Sequence, residues 1–180
     1  MQILNTNKQL NNMKLNSIII IASITIISSV WSYHNLTVSN QTLDYTSVEL
    51  KKAPPCIQLH EHIKVYSKQY GVPLAIALGV AKAESGYIGP FHWAYNPKLT
   101  SSASAYGAMQ IQVPTASYVW GKKVTSKQLL TDLDLNVHIS MKLLALLYKK
   151  YGDWGLALGA YNTGRPVVNG YAIKILNKNS

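Results

Sequence analysis

Glu84 is the residue of this chain whose position most suggests chemistry. It is the only carboxylate between Glu61 and Asp132, and it ends the apolar run VPLAIALGVAKA at residues 72–83, after which Gly86 can turn the chain. The run predicts a buried helix, apolar on all sides. Both the apolar neighbours and the negative end of the helix dipole would raise the pKa of the carboxyl group. Such a group can act as a general acid, although a solvent-facing Glu at a helix end fits this segment equally well.

The irregular segment 88–108 follows, and it is dense in Gly, Pro, Ser and aromatic residues. Phe91, Trp93 and Tyr95 stand at alternating positions, a pattern typical of a sugar-stacking wall or a small β-hairpin. Aromatic residues in loops can also simply cover a core. A short extended piece then leads into a helix that begins at Pro114.

The C-terminal third is predicted to be helical. A long helix follows residues 132–136, which offer capping side chains, and it carries one apolar stripe of Val137, Met141, Leu144 and Tyr148. A short helix rich in small residues begins after Asp153, and a last amphipathic segment runs from Pro166 to Leu176. With the earlier segments this predicts about six helices in one domain.

The N-terminal part predicts export rather than catalysis. Residues 17–31 are fifteen uncharged, mostly apolar residues, which is short for a membrane-spanning helix and typical of a signal-peptide core. We therefore interpret residues 1–32 as a signal peptide, with an uncleaved membrane anchor as the alternative. Residues 33–56 read as a polar linker, and the folded domain is assigned to 57–180. The single cysteine, Cys56, receives no role.

Charge and potential metal ligands exclude several classes of function. The net charge of +10 favours anionic surroundings such as a cell wall. Arg165 is the only arginine, which argues against nucleic-acid binding, where arginine is the usual base reader. His60 and His62 are two residues apart on a predicted helix and so point apart, which favours a solvated helix face over a metal site.

Four short motifs, in order, show what the chain resembles. They are Glu84-Ser85, Asn96-Pro97 with Ser101 before Gly107-Ala108-Met109-Gln110, the Asp132 to Asn136 element, and Ala160-Tyr161-Asn162-Thr163-Gly164. Over roughly Ile57 to Ala172 the chain resembles the soluble lytic transglycosylase catalytic domain, a branch of the lysozyme superfamily. Ala108 replaces the family's usual Leu, Thr163 is a mild variation, and the longer gap from Glu84 to Asn96 suggests an extra loop beside the cleft.

The resemblance implies a mainly α, lysozyme-like fold with a small irregular or β-hairpin region by the cleft. It implies that Glu84 is the catalytic acid and base, with Ser101 and Tyr161 supporting it; Tyr161 would hydrogen-bond near Glu84. Residues implied to bind the glycan are Tyr106, Met109, Gln110 and Asn162. Two alternatives stay open: Met109 as an ordinary core methionine, and Asn162 as a structural partner. No metal or cofactor is expected.

The implied reaction is cleavage of the β-1,4 bond between N-acetylmuramic acid and N-acetylglucosamine, with closure to a 1,6-anhydro product. Asp132, Asp134 and Asp153 read as helix-start residues, which favours a single-carboxylate scheme over a two-carboxylate one. The alternatives are a hydrolytic muramidase, a non-catalytic wall-binding module and a membrane-active basic protein. The expected partners are peptidoglycan strands and envelope assembly proteins, with no nucleic acid. The membrane is involved only through the N-terminal segment, and the location is the periplasm or cell envelope.

Overall fold

The computed structural model describes residues 47–177. The predicted signal peptide or anchor, and most of the predicted linker, lie outside the described residues. Within residues 47–177, no helix is both long and apolar enough to cross a membrane.

The described part of the chain is mainly helical. Its helices are α1 (Ser47–Lys52), α2 (Pro55–Tyr70), α3 (Leu74–Ser85), α4 (Val113–Trp120), α5 (Ser126–Thr131), α6 (Leu133–Tyr151), α7 (Trp154–Thr163) and α8 (Gly170–Leu176). Two short strands, β1 (Ala105–Tyr106) and β2 (Ile111–Gln112), pair antiparallel, with Tyr106 opposite Ile111. This confirms the predicted fold class, a mainly α protein with a small hairpin.

Two six-residue helices, α1 and α5, account for the difference between the eight described helices and the six expected. Neither is long enough to show a clear apolar period in the sequence. Helix α1 falls inside the segment interpreted as a linker. The Gln58 side chain of α2 donates to the Ala53 carbonyl at 2.6 Å and so ties the end of α1 to α2.

Helix α3 is buried along one face only. Ile76, Ala77, Val80 and Ala81 are buried, whereas Leu74 is 42% exposed. The sequence predicted burial on all sides, but α2 and α8 cover only one face of this helix. The helix ends at Gly86, whose φ of +70° is a conformation that favours glycine, so the chain turns away just after Glu84 and Ser85.

Helix α6 is the central element of the domain because both apolar clusters pack against it. Its residues Val137, Met141 and Leu144 are fully buried in the main core with α2, α3 and α7. On its other side Ile139 packs with α4, α5 and β2 in a second cluster. The long helix therefore fixes the relative positions of the elements on either side of it.

Asn136, on α6, is fully buried and makes three hydrogen bonds through its side-chain amide. Its Oδ1 accepts from the Met109 backbone N–H at 3.0 Å, and its Nδ2 donates to the carbonyls of Tyr106 (2.9 Å) and Leu129 (3.2 Å). One side chain thus joins the β1–β2 turn, the end of α5 and α6. Such a network is stabilising only while each of its members has a partner.

Replacing Gly159 with Ala is expected to destabilise the fold, because α7 packs directly on the segment that leads into α8. A Cβ atom at Gly159 would overlap the Val167 carbonyl oxygen, a backbone atom that cannot rotate away. We expect the free energy of unfolding to fall by about 2–4 kcal/mol, measured by urea denaturation. The matched control is Gly170→Ala, where the new Cβ would meet no atom within 4 Å. Equal midpoints for the two variants would contradict the packing argument.

Candidate active site

A cleft of about 710 Å³ lies where five parts of the fold meet. Its walls come from the end of α3, the chain around the β1–β2 pair, the start of α4, the second half of α6 and the end of α7. The described residues that line it include Glu84, Ser101, Gln110, Gln112, Thr115, Leu143, Leu147, Lys150, Tyr161, Asn162 and Gly164. Four of the residues that the sequence analysis assigned to the site, in addition to Glu84, therefore lie on one cleft.

Glu84 is half-buried at the cleft wall. The Tyr171 hydroxyl donates a hydrogen bond to its Oε1 at 2.7 Å. Burial raises the pKa of the Glu84 carboxyl above its ordinary value, and the bond from Tyr171 offsets part of that effect. The direction agrees with the sequence-based expectation. Of the described residues that line the cleft, Glu84 is the only carboxylate. The arrangement suits a group that gives up a proton and takes one back.

Tyr171 was missed by the sequence analysis. It lies in the last amphipathic segment, outside the quoted motifs, and 87 residues separate it from the carboxylate it contacts. Burial, and then the negative charge of Glu84, raise the pKa of Tyr171, so its hydroxyl stays protonated and remains a donor. Only the three-dimensional packing of α8 on α3 reveals this contact.

Tyr161 lines the cleft, but its hydroxyl bonds elsewhere than expected. It donates to the Met109 carbonyl at 2.7 Å, so it fastens α7 to the β1–β2 turn, while Tyr171 provides the hydrogen bond to Glu84. Burial, followed by the charge of Glu84, raises the pKa of Tyr161. That influence reflects the proximity of the two side chains.

Ser101 and Gln110 line the same cleft as Glu84. The Ser101 hydroxyl oxygen accepts the Ala105 N–H at 3.2 Å. The Gln110 side chain donates to the carbonyls of Gly107 (2.8 Å) and Leu99 (3.2 Å). Gln110 has a φ of +47°, which is uncommon for a residue other than glycine. Such backbone outliers concentrate at functional sites, where surrounding contacts hold them in place.

Met109 and Tyr106 do not present their side chains to the cleft, in contrast to the expectation. The Met109 side chain is fully buried in the main core, which corresponds to the alternative of a core methionine. Tyr106 is half-buried against the second cluster. The positive φ angles at Gly107 and Gln110 reverse the chain between them, and Asn136 holds the Met109 N–H, so this turn directs Met109 inward.

Asn162 is exposed at the cleft edge. Its Oδ1 accepts a hydrogen bond from Asn169 Nδ2 at 3.2 Å, and Asn169 in turn caps the start of α8. It therefore makes the kind of contact expected of a structural partner, while its position also leaves it within reach of a ligand.

The loop at 88–95 contains no strand. Tyr95 is buried and its hydroxyl lies 2.9 Å from the Ser85 hydroxyl, so this aromatic residue covers the core near Glu84. Phe91 and Trp93 are 78% and 63% exposed, meet edge to face, and do not line the cleft. The interpretation of a cleft-lining aromatic wall thus does not describe their position, and the hairpin falls later in the chain.

Three aspartates and two histidines outside the cleft have structural partners. Asp132 and Asp153 cap α6 and α7 by accepting backbone N–H groups, as their helix-start positions predicted. Asp134 accepts from the Tyr66 hydroxyl at 2.8 Å and pairs with His62 at 3.1 Å. His60 Nδ1 lies 3.0 Å from the Tyr87 hydroxyl.

The two histidines of α2 are thus half-buried and bonded to other parts of the chain, and they do not form the solvated face that was expected. His62 meets Asp134 of α6, whereas His60 meets Tyr87, just after α3. In the part of the chain that the structure describes, no group of three His, Cys, Asp or Glu side chains could hold a metal ion.

Comparison with known proteins identifies the domain. The family model for the transglycosylase SLT domain matches residues 61–174, which include Glu84 and Tyr171. The chain belongs to this family. The matched residues run from within α2 to within α8 and include the residues that line the cleft.

Solved structures support the same fold for the SLT domain. The 70 kDa soluble lytic transglycosylase SLT70 from Escherichia coli is 27% identical with a TM-score of 0.50, over 64% of this chain and 18% of that one. A complex of the 70 kDa soluble lytic transglycosylase with bulgecin A is 26% identical with a TM-score of 0.52, over 72% of this chain and 20% of the other. The matching part is thus at most a fifth of those proteins.

Proposed function

We propose that this chain is a peptidoglycan lytic transglycosylase in which Glu84 acts first as acid and then as base. The observation that carries the proposal is a single half-buried carboxyl group on the cleft wall, with its pKa raised by burial and its Oε1 held by Tyr171. Membership of the SLT family supports it, as does the likeness to proteins named as soluble lytic transglycosylases. One of those proteins was solved with bulgecin A in complex.

The reaction divides into two proton transfers. The protonated Glu84 carboxyl donates its proton to the oxygen that bridges N-acetylmuramic acid and N-acetylglucosamine, and the C1–O bond of the muramoyl residue breaks. The substrate's own N-acetyl oxygen stabilises the positive charge at C1. The Glu84 carboxylate then removes the proton from the C6 hydroxyl, and O6 bonds to C1. The sum is a 1,6-anhydro end and a free N-acetylglucosamine 4-hydroxyl, without water or a cofactor.

The composition of the cleft favours this route over hydrolysis. Glycosidases that use two carboxylates place them about 5–9.5 Å apart across the scissile bond. Among the described residues that line the cleft, Glu84 has no second carboxylate near it, and Asp132, Asp134 and Asp153 bond elsewhere. Ser101, Gln110, Tyr161 and Asn162 would position the glycan around the acid.

Export follows from this proposal because peptidoglycan lies outside the cytoplasmic membrane. The uncharged segment 17–31 supplies a signal peptide or anchor, and the net charge of +10 favours attraction to an anionic wall.

The products distinguish the proposal from its alternatives. Purified peptidoglycan digested with the protein is expected to release fragments with 1,6-anhydro ends, which borohydride cannot reduce. A hydrolytic muramidase would give reducing ends that are heavier by one water. Intact strands after digestion would instead support a wall-binding or membrane-active protein.

Replacing Tyr171 with Phe is expected to shift the pH dependence of activity. Tyr171 donates to Glu84 and so stabilises the charged form; its removal raises the pKa of Glu84 further. The acid stays protonated to higher pH, so the fall of kcat/KM on the alkaline side moves upward. The carboxylate also loses its orientation, and we expect kcat to fall about tenfold or more. The measurement is kcat/KM against pH.

The control is Tyr118→Phe, since Tyr118 is 86% exposed and is not among the residues that line the cleft. An unchanged pH profile in the Tyr171 variant would show that the hydrogen bond does not tune Glu84.

A further inference from the structure

Lys150 is the one cationic side chain among the described residues that line the cleft. It follows Leu143 and Leu147 along α6, at spacings that put all three on one side of the helix. This side of α6 forms one wall of the cleft, with two leucines leading to an ammonium group and Tyr151 at the helix end. The cleft is therefore apolar along this wall and positive at its end.

The Lys150 ammonium has no carboxylate partner within the described part of the chain; for comparison, Lys64 forms an ion pair with Glu61. The ammonium nitrogen lies 5.1 Å from the centre of the Tyr151 ring. The one carboxylate on the cleft, Glu84, is hydrogen-bonded to Tyr171. Lys150 can thus accept an anionic group from a ligand without losing an ion pair.

The adjacent lysine provides an internal comparison. Lys149 and Lys150 both lie in the last turn of α6, where a cation is favourable next to the helix carbonyl end. Both are exposed, but only Lys150 lines the cleft. A benefit from the helix dipole would apply to both residues, whereas a role in ligand binding would apply to Lys150 alone.

We propose that Lys150 binds a carboxylate of the peptidoglycan strand and so makes the enzyme prefer substrates that carry one; this rests on the proposed function. The N-acetylated sugar rings of the strand are uncharged, and in a peptide-bearing strand the lactyl carboxyl group forms an amide bond with the stem peptide. The available anions are then the stem-peptide carboxylates. Strands without peptides expose the lactyl carboxylate. Both sources offer the same chemistry to an ammonium group, a charge-assisted hydrogen bond.

The test compares two variants on three substrates. The variants are Lys150→Gln and the control Lys149→Gln. The substrates are uncrosslinked peptide-bearing strands, the same strands with their carboxylates converted to amides, and strands from which an amidase has removed the peptides. The rate of chain cleavage at several concentrations gives KM and kcat for each pair.

We expect Lys150→Gln to raise KM on the peptide-bearing strands about three- to tenfold, with kcat little changed, and to leave KM on amidated strands unaltered. For the wild-type protein, KM should rise by the same factor when the carboxylates of the strands are converted to amides, because either change removes the same contact. If Lys150→Gln also raises KM on the peptide-free strands, the lactyl carboxylate is a ligand of Lys150. If KM on those strands does not change, the ligand is a carboxylate of the stem peptide.

Three results would overturn the role of Lys150. Lys149→Gln could raise KM as much as Lys150→Gln does, or Lys150→Gln could raise KM on amidated strands as well. The third is an unchanged KM for Lys150→Gln on both carboxylate-bearing substrates. Failure of the proposed function has a different signature, since the wild-type protein would then cleave none of the three substrates.

Discussion

Glu84→Gln is expected to reduce kcat/KM on peptidoglycan by about 10²–10⁴-fold or more, with the fold preserved. An amide cannot give up a proton to the glycosidic oxygen or accept one from the C6 hydroxyl, so both steps fail together. The Gln side chain is close in shape to Glu, and its carbonyl oxygen can still accept the hydrogen bond from Tyr171. The loss should therefore appear in kcat rather than in binding.

The same substitution should not reduce stability at neutral pH. Burial raises the pKa of Glu84 in the folded state above its value of 4.5 in the unfolded chain, so the folded state binds more protons between those two values. The contribution of Glu84 to the free energy of unfolding is therefore greatest below pH 4.5, where the group is protonated in both states, and it is lost as the pH rises through the folded-state pKa. Replacing Glu84 with Gln removes that loss. The melting temperature of the variant relative to wild type should thus be higher at pH 7 than at pH 4.

The control for this prediction is Glu61→Gln. Glu61 is also half-buried but pairs with Lys64 on α2, away from the cleft. It should keep near wild-type activity. If Glu84→Gln retained activity comparable to that of the Glu61 variant, the assignment of Glu84 would be wrong.

Asn136→Ala is expected to lower the free energy of unfolding by about 3–5 kcal/mol. The substitution leaves the Met109 N–H and the carbonyls of Tyr106 and Leu129 without their partner, and it opens a cavity at a fully buried position. Because these groups lie on the turn that presents Gln110, activity should be lost at a temperature below the melting point of the wild-type protein. Chemical denaturation and activity against temperature measure the two effects.

Asn96→Ala serves as the comparison for Asn136. Asn96 is exposed and its Oδ1 accepts one local hydrogen bond, from the Lys98 N–H at 2.9 Å. Its loss should cost about 1 kcal/mol or less. A similar small effect for Asn136→Ala would mean that the buried network does not hold the turn in place.

Features with a local signal were predictable from the sequence. The isolation of Glu84 and the apolar helix before it are visible in a short segment, and α6 and α7 show clear apolar patterns. The motifs containing Ser101, Gln110 and Tyr161 predicted these three cleft residues. These elements appear in the structure at nearly the expected positions.

Features that depend on tertiary contact could not be predicted in the same way. The Tyr171 hydroxyl reaches Glu84 only because α8 packs on α3. The side chains of Met109 and Tyr106 turn away from the cleft because of backbone angles at Gly107 and Gln110, which no periodic pattern encodes. Asn136 read as a helix-capping residue, yet it forms a buried junction between three elements. Motifs place residues near a site, whereas side-chain direction in an irregular turn depends on the surrounding packing.

The central claim is that Glu84 drives an intramolecular closure in which water takes no part. Digestion of purified peptidoglycan in water enriched in oxygen-18, followed by mass spectrometry of the released fragments, tests it most directly. We predict 1,6-anhydro ends of unlabelled mass from the wild-type protein and no new ends from Glu84→Gln. New reducing ends that carry oxygen-18 at C1, in excess of those in an incubation without the protein, would contradict the claim, because water would then have attacked that carbon.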